Sequence, residues 1–546
     1  MTDKQDKDAR NQDYGSGPVL DGEALDVSEE ACTPERLGNA RAGGVDEHGR
    51  LRSGRLAGLT MWAAIGVLSW PILVESVLNS LVGLVDTTLA SQISAPATDA
   101  IGVASYFAWF ISLFAMALAT GATALVSRSV GKGRLGVANA AVGQTMLLAV
   151  ASGVCVGLLI GSLAPSIASL VGFSQADHSE ARAAFIGYMR IIAAGVPVSS
   201  VLFAGIACLR GAGDSIRPLW AMVAANVVNM VVSFIASGVS FSVSDLVDGE
   251  VRTTELISPV IANGMGVNGI ALGTVCAHVA GAAIIVGMLL RGKGGVKLKR
   301  LWLGFHPITM IRLARLGLPN FFESVGMWVG NFVVVIMVGW LAQSSLAAGG
   351  DSDGLFGAHI WAIRIEAFSF LPGFAMGMAA ATLAGQYLGA GRADLASLAI
   401  RRCLVIGATL MGLMGVAFVF GGEAIIGTFS TQVSHLELVP QLLVICGVVQ
   451  VPFGIALVIR SALRGAGDVK TTMWITWFST YAVRLPMAYA LSGVDVWFGG
   501  RVVLENPFRE EFSLSGLWMG LCGELVIRGA FFTARFLQGG WKSARV

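Results

Sequence analysis

The stretch Cys208–Trp220 reads CLRGAGDSIRPLW, and Ala462–Trp474 reads ALRGAGDVKTTMW. The hexapeptide LRGAGD thus occurs twice, 254 residues apart, each copy ending the same distance before a tryptophan. Self-similarity at a long fixed spacing is the mark of a duplicated unit. Further matches keep the same order. Trp70-Pro71-Ile72-Leu73-Val74-Glu75-Ser76 answers Leu318-Pro319-Asn320-Phe321-Phe322-Glu323-Ser324, and Gly131-Lys132-Gly133-Arg134 answers Gly389-Ala390-Gly391-Arg392. The chain therefore reads as two homologous halves.

With 55% apolar residues, 13% charged residues and a mean hydropathy of +0.71, the composition departs from that of soluble domains. Apolar runs long enough to cross a hydrocarbon core, which takes roughly 20 residues, recur near 60–90, 99–126, 136–163, 183–208, 218–241, 264–290, 317–341, 357–385, 397–420, 437–462, 472–492 and 514–537. The pattern predicts an all-α membrane protein with twelve transmembrane helices in two homologous six-helix bundles. Since six is even, the halves share one orientation, related by an axis along the membrane normal. The expected layout is a disordered cytoplasmic tail over 1–57, a first lobe over 58–292, a basic inter-lobe loop over 293–316 and a second lobe over 317–546. The first fifty residues carry twelve acidic and six basic side chains, too polar to fold alone, and they lack the basic start and apolar core of a signal peptide.

The 37 Lys and Arg residues crowd one set of loops, leaving only Arg182, Arg252, Arg501 and Arg509 beside the other. By the positive-inside rule both termini and both LRGAGD turns are expected in the cytoplasm, with the chain multi-pass in the cell membrane. The seven cysteines, Cys32 among them, form no C-x-x-C pair, so neither disulfides nor a metal site is expected.

Taken together, the doubled LRGAGD, GLVDTTLASQIS at 83–94, ALATGATALVSRSVGKG at 117–133, FGAHIWAIRIEAFSFLPGFAMGMAAATLAGQYLGAG at 356–391 and FLQGGWK at 536–542 resemble multidrug and toxic compound extrusion (MATE) transporters. The resemblance runs from about residue 58 to the end. It implies a V-shaped antiporter that exports organic, often cationic and amphipathic, compounds by alternating access in exchange for Na⁺ or H⁺, with no cofactor. It also aligns Asp86, in Val-Asp-Thr, with the cation-linked aspartate of several relatives. The alternative is a flippase for a lipid-linked precursor.

Charged residues within spans are costly and so are functional candidates: Glu75, Asp86, Arg190, Glu323, Arg364, Glu366, Arg484, Glu524 and Arg528. Glu75 and Asp86 lie three helical turns apart on one face, roughly 16 Å along the axis. Asn229 and Ser233 fall on one stripe of the fifth span, and the resemblance implies that this stripe joins Asp86; with Glu75 they make the expected cation-coupling set of Asp86, Glu75, Asn229 and Ser233, with Na⁺ at Asp86 the one metal considered. In some branches the position of Ser233 carries a second acid, which is missing here. Glu75 and Glu323 each follow a proline and can brace the backbone it frees. Glu323, Arg364, Glu366 and Arg484 are expected to line the second-lobe cavity, with Glu323 a mate for Arg364. Arg210 with Asp214, and Arg464 with Asp468, are expected to hold the two LRGAGD turns and to act in gating.

Other classes are excluded by their missing signatures. Gly287–Lys293 spells most of a P-loop but is followed by glycine and ends an apolar run, so nucleotide binding is not expected. The chain has no H-E-x-x-H or paired intramembrane aspartates, so an enzyme is not expected either. The expected partners are small organic molecules and the lipid bilayer, with no nucleic acid, and the expected state is a monomer.

Overall fold

The computed structural model describes residues 44–546 apart from 171–178, 240, 248–249, 258–263, 348–353, 431, 499–500, 509–512 and 545. The expected tail as far as residue 43, with Cys32, lies outside the described residues, as does Arg509. The first half forms α1 (Met61–Ser91), α2 (Ala95–Gly131), α3 (Leu135–Leu170), α4 (Ser179–Gly211), α5 (Ile216–Ser237) and α6 (Val267–Arg291). The second half forms α7 (Pro307–Ala347), α8 (Leu355–Ser369 with Leu371–Gly389), α9 (Ala393–Gly427), α10 (Val433–Val448 with Gln450–Gly465), α11 (Val469–Phe478, a π-helical turn at Ser479–Arg484, and Leu485–Ser492) and α12 (Leu514–Gln538). Among the described residues nine helices are singly long and apolar enough to cross a membrane, and α8 and α10 qualify as pairs bent by 43° and 55°. With the three-part α11 these make the twelve spans.

Both bends have a cause in the sequence. Pro372 and Pro452 sit just after the two breaks. Proline removes one helical donor and its ring strikes the carbonyl four residues back, here that of Phe368 or Val448, which lies at the end of the preceding segment. Two antiparallel hairpins that were not expected link the fifth and sixth helix of each half. β1 (Phe241–Val247) pairs with β2 (Glu250–Ile257), aligning Val243 with Thr254, and β3 (Val496–Phe498) pairs with β4 (Arg501–Leu504), aligning Trp497 with Val502.

The duplication is visible bond by bond. In the first LRGAGD, Gly213 adopts φ +93° while its N–H reaches the Arg210 carbonyl at 2.9 Å and the Asp214 N–H reaches the Leu209 carbonyl at 2.9 Å. In the second, Gly467 adopts φ +95°, with Gly467 to Arg464 at 3.0 Å and Asp468 to Leu463 at 2.9 Å. These are Schellman caps, in which a left-handed residue lets two N–H groups turn back onto free helix carbonyls. A glycine is needed there because a Cβ resists positive φ.

Between these caps and the next, the spacing of the halves changes. Gly238 and Gly493 cap α5 and α11 at φ +69° and +66°. Their separation is 255 residues, whereas the LRGAGD glycines are 254 apart. Beyond the π turn the larger spacing holds in the packing too: Gly273 of α6 meets Ser233, and Gly520 of α12 meets Ala488. The second half thus carries one extra residue, and a π turn is how a helix absorbs one without losing register on either side.

Each lobe has its own apolar core, one around Leu125, Val142, Leu202 and Ile285 and another around Leu383, Ile400, Ile459 and Phe532. Two expected boundaries are corrected. Residues 44–57 are not a free tail: Leu51 and Leu56 are buried in the second-lobe core together with Ala64, Ile65 and Leu68 of α1. In the same segment the Ser53 hydroxyl donates to the Val130 carbonyl at 2.5 Å. The inter-lobe connection is shorter than 293–316, because α7 begins at Pro307. It is tied to α3, where Asn139 Oδ1 accepts from the Lys297 N–H at 2.6 Å and the Gln144 amide donates to the carbonyls of Trp302 and Gly304 at 2.9 and 2.6 Å.

The lobes meet as a V whose vertex lies at the LRGAGD turns. From the ring contact of Phe114 with Phe321, 4.4 Å between centroids, α2 runs beside α7 toward that vertex. The second segment of α8 packs on α1 and α2, while its first segment packs on second-lobe helices.

Candidate functional site

At the vertex each lobe closes the other's turn. The Gln386 amide, one turn from the end of α8, donates to the Gly211 carbonyl of the first LRGAGD at 2.9 Å, and the Thr382 hydroxyl donates to the Arg210 carbonyl at 3.3 Å. On the other lobe Arg128, one turn from the end of α2, donates to the Ala466 carbonyl of the second LRGAGD at 3.4 Å. Gln386 and Arg128 stand the same three residues before Gly389 and Gly131, the matched helix ends. Small residues permit the contact: a Cβ at Gly131 would strike the Gln386 backbone, and one at Gly389 the Arg128 backbone. The result is a reciprocal clasp built from one duplicated device.

The arginines of LRGAGD point inward instead of holding their own turns. Arg210 pairs with Glu75 of α1, both largely buried. Arg464 pairs with Glu323 of α7 at 2.8 Å. Glu323 has further partners, Arg460 at 3.3 Å, the Thr476 hydroxyl at 2.7 Å and the Thr472 hydroxyl at 3.2 Å. The expected Glu323–Arg364 pair is therefore corrected: Arg364 is exposed on α8, and guanidinium groups of α10 satisfy Glu323. The aspartates do serve the turns. Asp214 accepts from the Arg217 side chain at 2.6 Å and its N–H at 3.2 Å, with Arg55 of the N-terminal segment at 3.7 Å. Asp468 accepts from Thr471 at 2.6 Å and Arg535 at 2.8 Å.

Three of the four expected cation-coupling residues come together. With the Asn229 amide oriented so that both its ends are satisfied, its nitrogen donates to Asp86 Oδ1 at 3.3 Å and its oxygen accepts from the Thr274 hydroxyl at 3.2 Å. The Ser233 hydroxyl, which donates to the Ile270 carbonyl at 3.4 Å, lies near the Asp86 carboxylate, as does Tyr188. The fourth, Glu75, is on the same helix but closer to the vertex, committed to Arg210. Among the described residues Asp86 has no basic partner and draws only on neutral donors from α5.

The matching junction of the second lobe is built the other way. Counting back from the Gly238 and Gly493 caps, Arg484 takes the place that Asn229 holds, at the end of the π turn. It donates to Glu524 of α12 at 2.9 and 3.1 Å and to Asn331 of α7 at 2.7 Å. Arg528 completes the cluster, bonding Glu524 at 2.6 Å and the hydroxyls of Ser479 and Thr480 at 2.9 Å each. Glu366 lies near Arg484 and Cys446. Buried carboxylates here carry their own guanidinium counter-charges, the arrangement that makes a buried ion pair tolerable.

Sequence reasoning missed several of these partners. Arg460 is absent from the candidates above, yet it lies one helical turn before Arg464, where the first half has Ile206. Thr472 and Thr476 replace Pro218 and Met222 of the first half. Comparing the two halves position by position, and asking where polarity appears in one only, would have found all three. Gln386 left no such signal, since a lone glutamine on an apolar helix has no fixed reading.

A model of the MatE family matches residues 71–235 and 319–490, one stretch in each half. Over 482 residues the chain is 24% identical to a probable multidrug resistance protein NorM of Thermotoga maritima, covering 88% of this chain and 93% of the relative. It is 22% identical over 479 residues to the uncharacterized transporter YisQ of Bacillus subtilis, covering 87% and 94%. Among solved structures, a mutant of the Vibrio cholerae MATE transporter VcmN superposes with a TM-score of 0.73 at 16% identity, covering 88% of this chain and 96% of that one. An outward-facing multidrug resistance MATE transporter of the MOP superfamily superposes at 0.71 and 20%, covering 88% and 97%.

Proposed function

Because the chain belongs to the MatE family, a family of membrane transporters, we propose that it exports organic, often cationic and amphipathic, compounds by antiport with Na⁺ or H⁺. The names of relatives such as the Thermotoga maritima protein support export of drug-like compounds. The skew of Lys and Arg supports a cytoplasmic LRGAGD face. On that reading the clasp of Gln386 and Arg128 is the inner gate, and the shape described above is the state closed to the cytoplasm.

The observation that carries ion coupling is the contrast between the lobes. Glu323 and Glu524 each hold fixed guanidinium partners, so a cation or proton arriving there would have to displace them. Among the described residues Asp86 has only neutral donors, and a partly desolvated carboxylate without a counter-ion favours taking up a proton or a cation. We therefore place the coupling site at Asp86, with Asn229, Ser233 and Thr274 supplying neutral oxygen and nitrogen. Binding there drives export only if it favours one lobe arrangement over the other. The direct test is dye efflux in inverted vesicles with pH and Na⁺ gradients imposed separately. Efflux that responds to neither gradient would remove the antiport reading.

A further inference from the structure

Beside the clasp, sharing Arg128 with it and separate from the coupling site, lies a cleft of about 430 Å³. Its lining draws on both lobes: Arg128, Lys132 and Arg134 around the end of α2, Arg312 and Arg315 on α7, and the backbone after α12 at Ser543 and Ala544. The lining residues include five basic side chains and no Asp or Glu side chain, with the terminal residue Val546 and its carboxylate also at the wall. Arg128 also meets backbone carbonyls of Ala466 and Ala544, and Arg134 and Arg312 engage other groups too. The charge nonetheless accumulates: Lys132, exposed in the turn after α2, has its ammonium pKa pushed down by partial burial and by Arg128, Arg134 and Arg312 nearby.

A second observation says what kind of anion reaches this cleft. Along α7 the residues Ile308, Ile311, Leu318 and Phe322 are exposed, at spacings of three, seven and four, which is one face of a helix. Arg315 is exposed on that same face, between Ile311 and Leu318. Ahead of it the connection exposes Leu301, Leu303 and Phe305. Apolar side chains left open on a spanning helix face lipid, and Arg315, on that same face near the vertex end of α7, also lines the cleft. Basic pockets between helices at such a level suit phosphate headgroups.

We infer that this cleft binds the phosphate headgroup of an anionic phospholipid, held by Lys132 of the first lobe and Arg315 of the second. A ligand touching both lobes at the vertex favours the arrangement in which the vertex is closed. This goes beyond the transport reading and is tested without transport. The purified full-length protein, delipidated in detergent, is titrated with phosphatidylglycerol or phosphatidylcholine and followed by native mass spectrometry. The expected result is preferential retention of phosphatidylglycerol, reduced about thirtyfold in Lys132→Gln/Arg315→Gln, the factor that two basic groups near a headgroup surface contribute. Lys132→Arg/Arg315→Lys should retain it. A photoreactive phosphatidylglycerol should label the α7 peptide containing Arg315 in the unmodified protein, a readout independent of how the variants fold. Equal retention by the glutamine pair and the unmodified protein, or labelling confined to other helices, overturns the site. Displacement of phosphatidylglycerol by millimolar inorganic phosphate would make the ligand a soluble phosphate and overturn the lipid assignment.

Discussion

Gln386 and Gly211 come from different halves of the chain, yet the amide of one donates to the carbonyl of the other at 2.9 Å, both inside the seam between the lobes. The Gly211 carbonyl is among those a helix end leaves without an intrahelical partner. Supplying its donor from the opposite lobe makes the cap conditional on lobe closure.

Gln386→Ala should therefore loosen the vertex. A buried carbonyl that loses its donor costs about 1–3 kcal/mol, enough to shift a two-state equilibrium five- to over a hundredfold toward the open vertex. Spin labels at Arg291 and Asp394, exposed on different lobes, should show a longer-distance component absent when Gln386 is kept. An unchanged distance distribution would mean that Gln386 does not hold the seam.

The two LRGAGD arginines should not be equivalent. Arg210→Ala leaves Glu75 buried without its guanidinium, a change that typically costs 3–5 kcal/mol, whereas Arg464→Ala leaves Glu323 with Arg460, Thr472 and Thr476. Thermal melting in detergent should fall further for Arg210→Ala, and replacing Glu75 with Gln as well should recover much of the loss. Equal melting of the two single variants would contradict this asymmetry.

Asp86→Asn keeps the size of the side chain and mimics its protonated form. Under the proposed mechanism it should fold normally and still exchange substrate across vesicles, but lose accumulation against a gradient. Asn229→Ala should weaken coupling less, since it removes one donor and leaves the carboxylate. Normal uphill efflux by Asp86→Asn would move the coupling site elsewhere.

Deleting Ala482, an exposed residue inside the π turn, should be tolerated. The turn can relax to an ordinary α-helix while both flanks keep their places. Deleting Ala488, which meets Gly520 of α12, should abolish folding because everything beyond it rotates by about 100°. Fluorescence-detected size exclusion would separate the two outcomes, and similar losses for both would refute the insertion account.

Leu56→Ala should destabilise by about 2–5 kcal/mol, the usual cost of a large-to-small change in a packed core. Leu56 is 1% exposed and sits in the second-lobe cluster although it precedes α1. A melting temperature unchanged from that of the full chain would return this segment to the status of a loose tail.

What the sequence determined by itself was whatever depends on local pattern. Apolar runs specify spans, because an unpaired backbone in lipid forces helices. The glycines of LRGAGD specify left-handed caps, since only glycine accepts that conformation cheaply. Repetition of both established two equivalent lobes. Helical spacing put Asn229 and Ser233 on one face of α5, but that this face meets Asp86 was implied only by the resemblance and is decided by α1 packing on α5. Which charges met was a tertiary matter. Glu75 and Glu323 look alike beside their prolines, and Arg364 looks as available as Arg464, but partners are chosen by which helices cross at which depth. One extra residue in α11, invisible as a motif, turned into a π turn ending at Arg484 in the place of Asn229. The N-terminal segment from Gly44 was misread for the converse reason: its composition is that of a chain unable to fold alone, and it is ordered only because two lobes already present an apolar groove for Leu51 and Leu56.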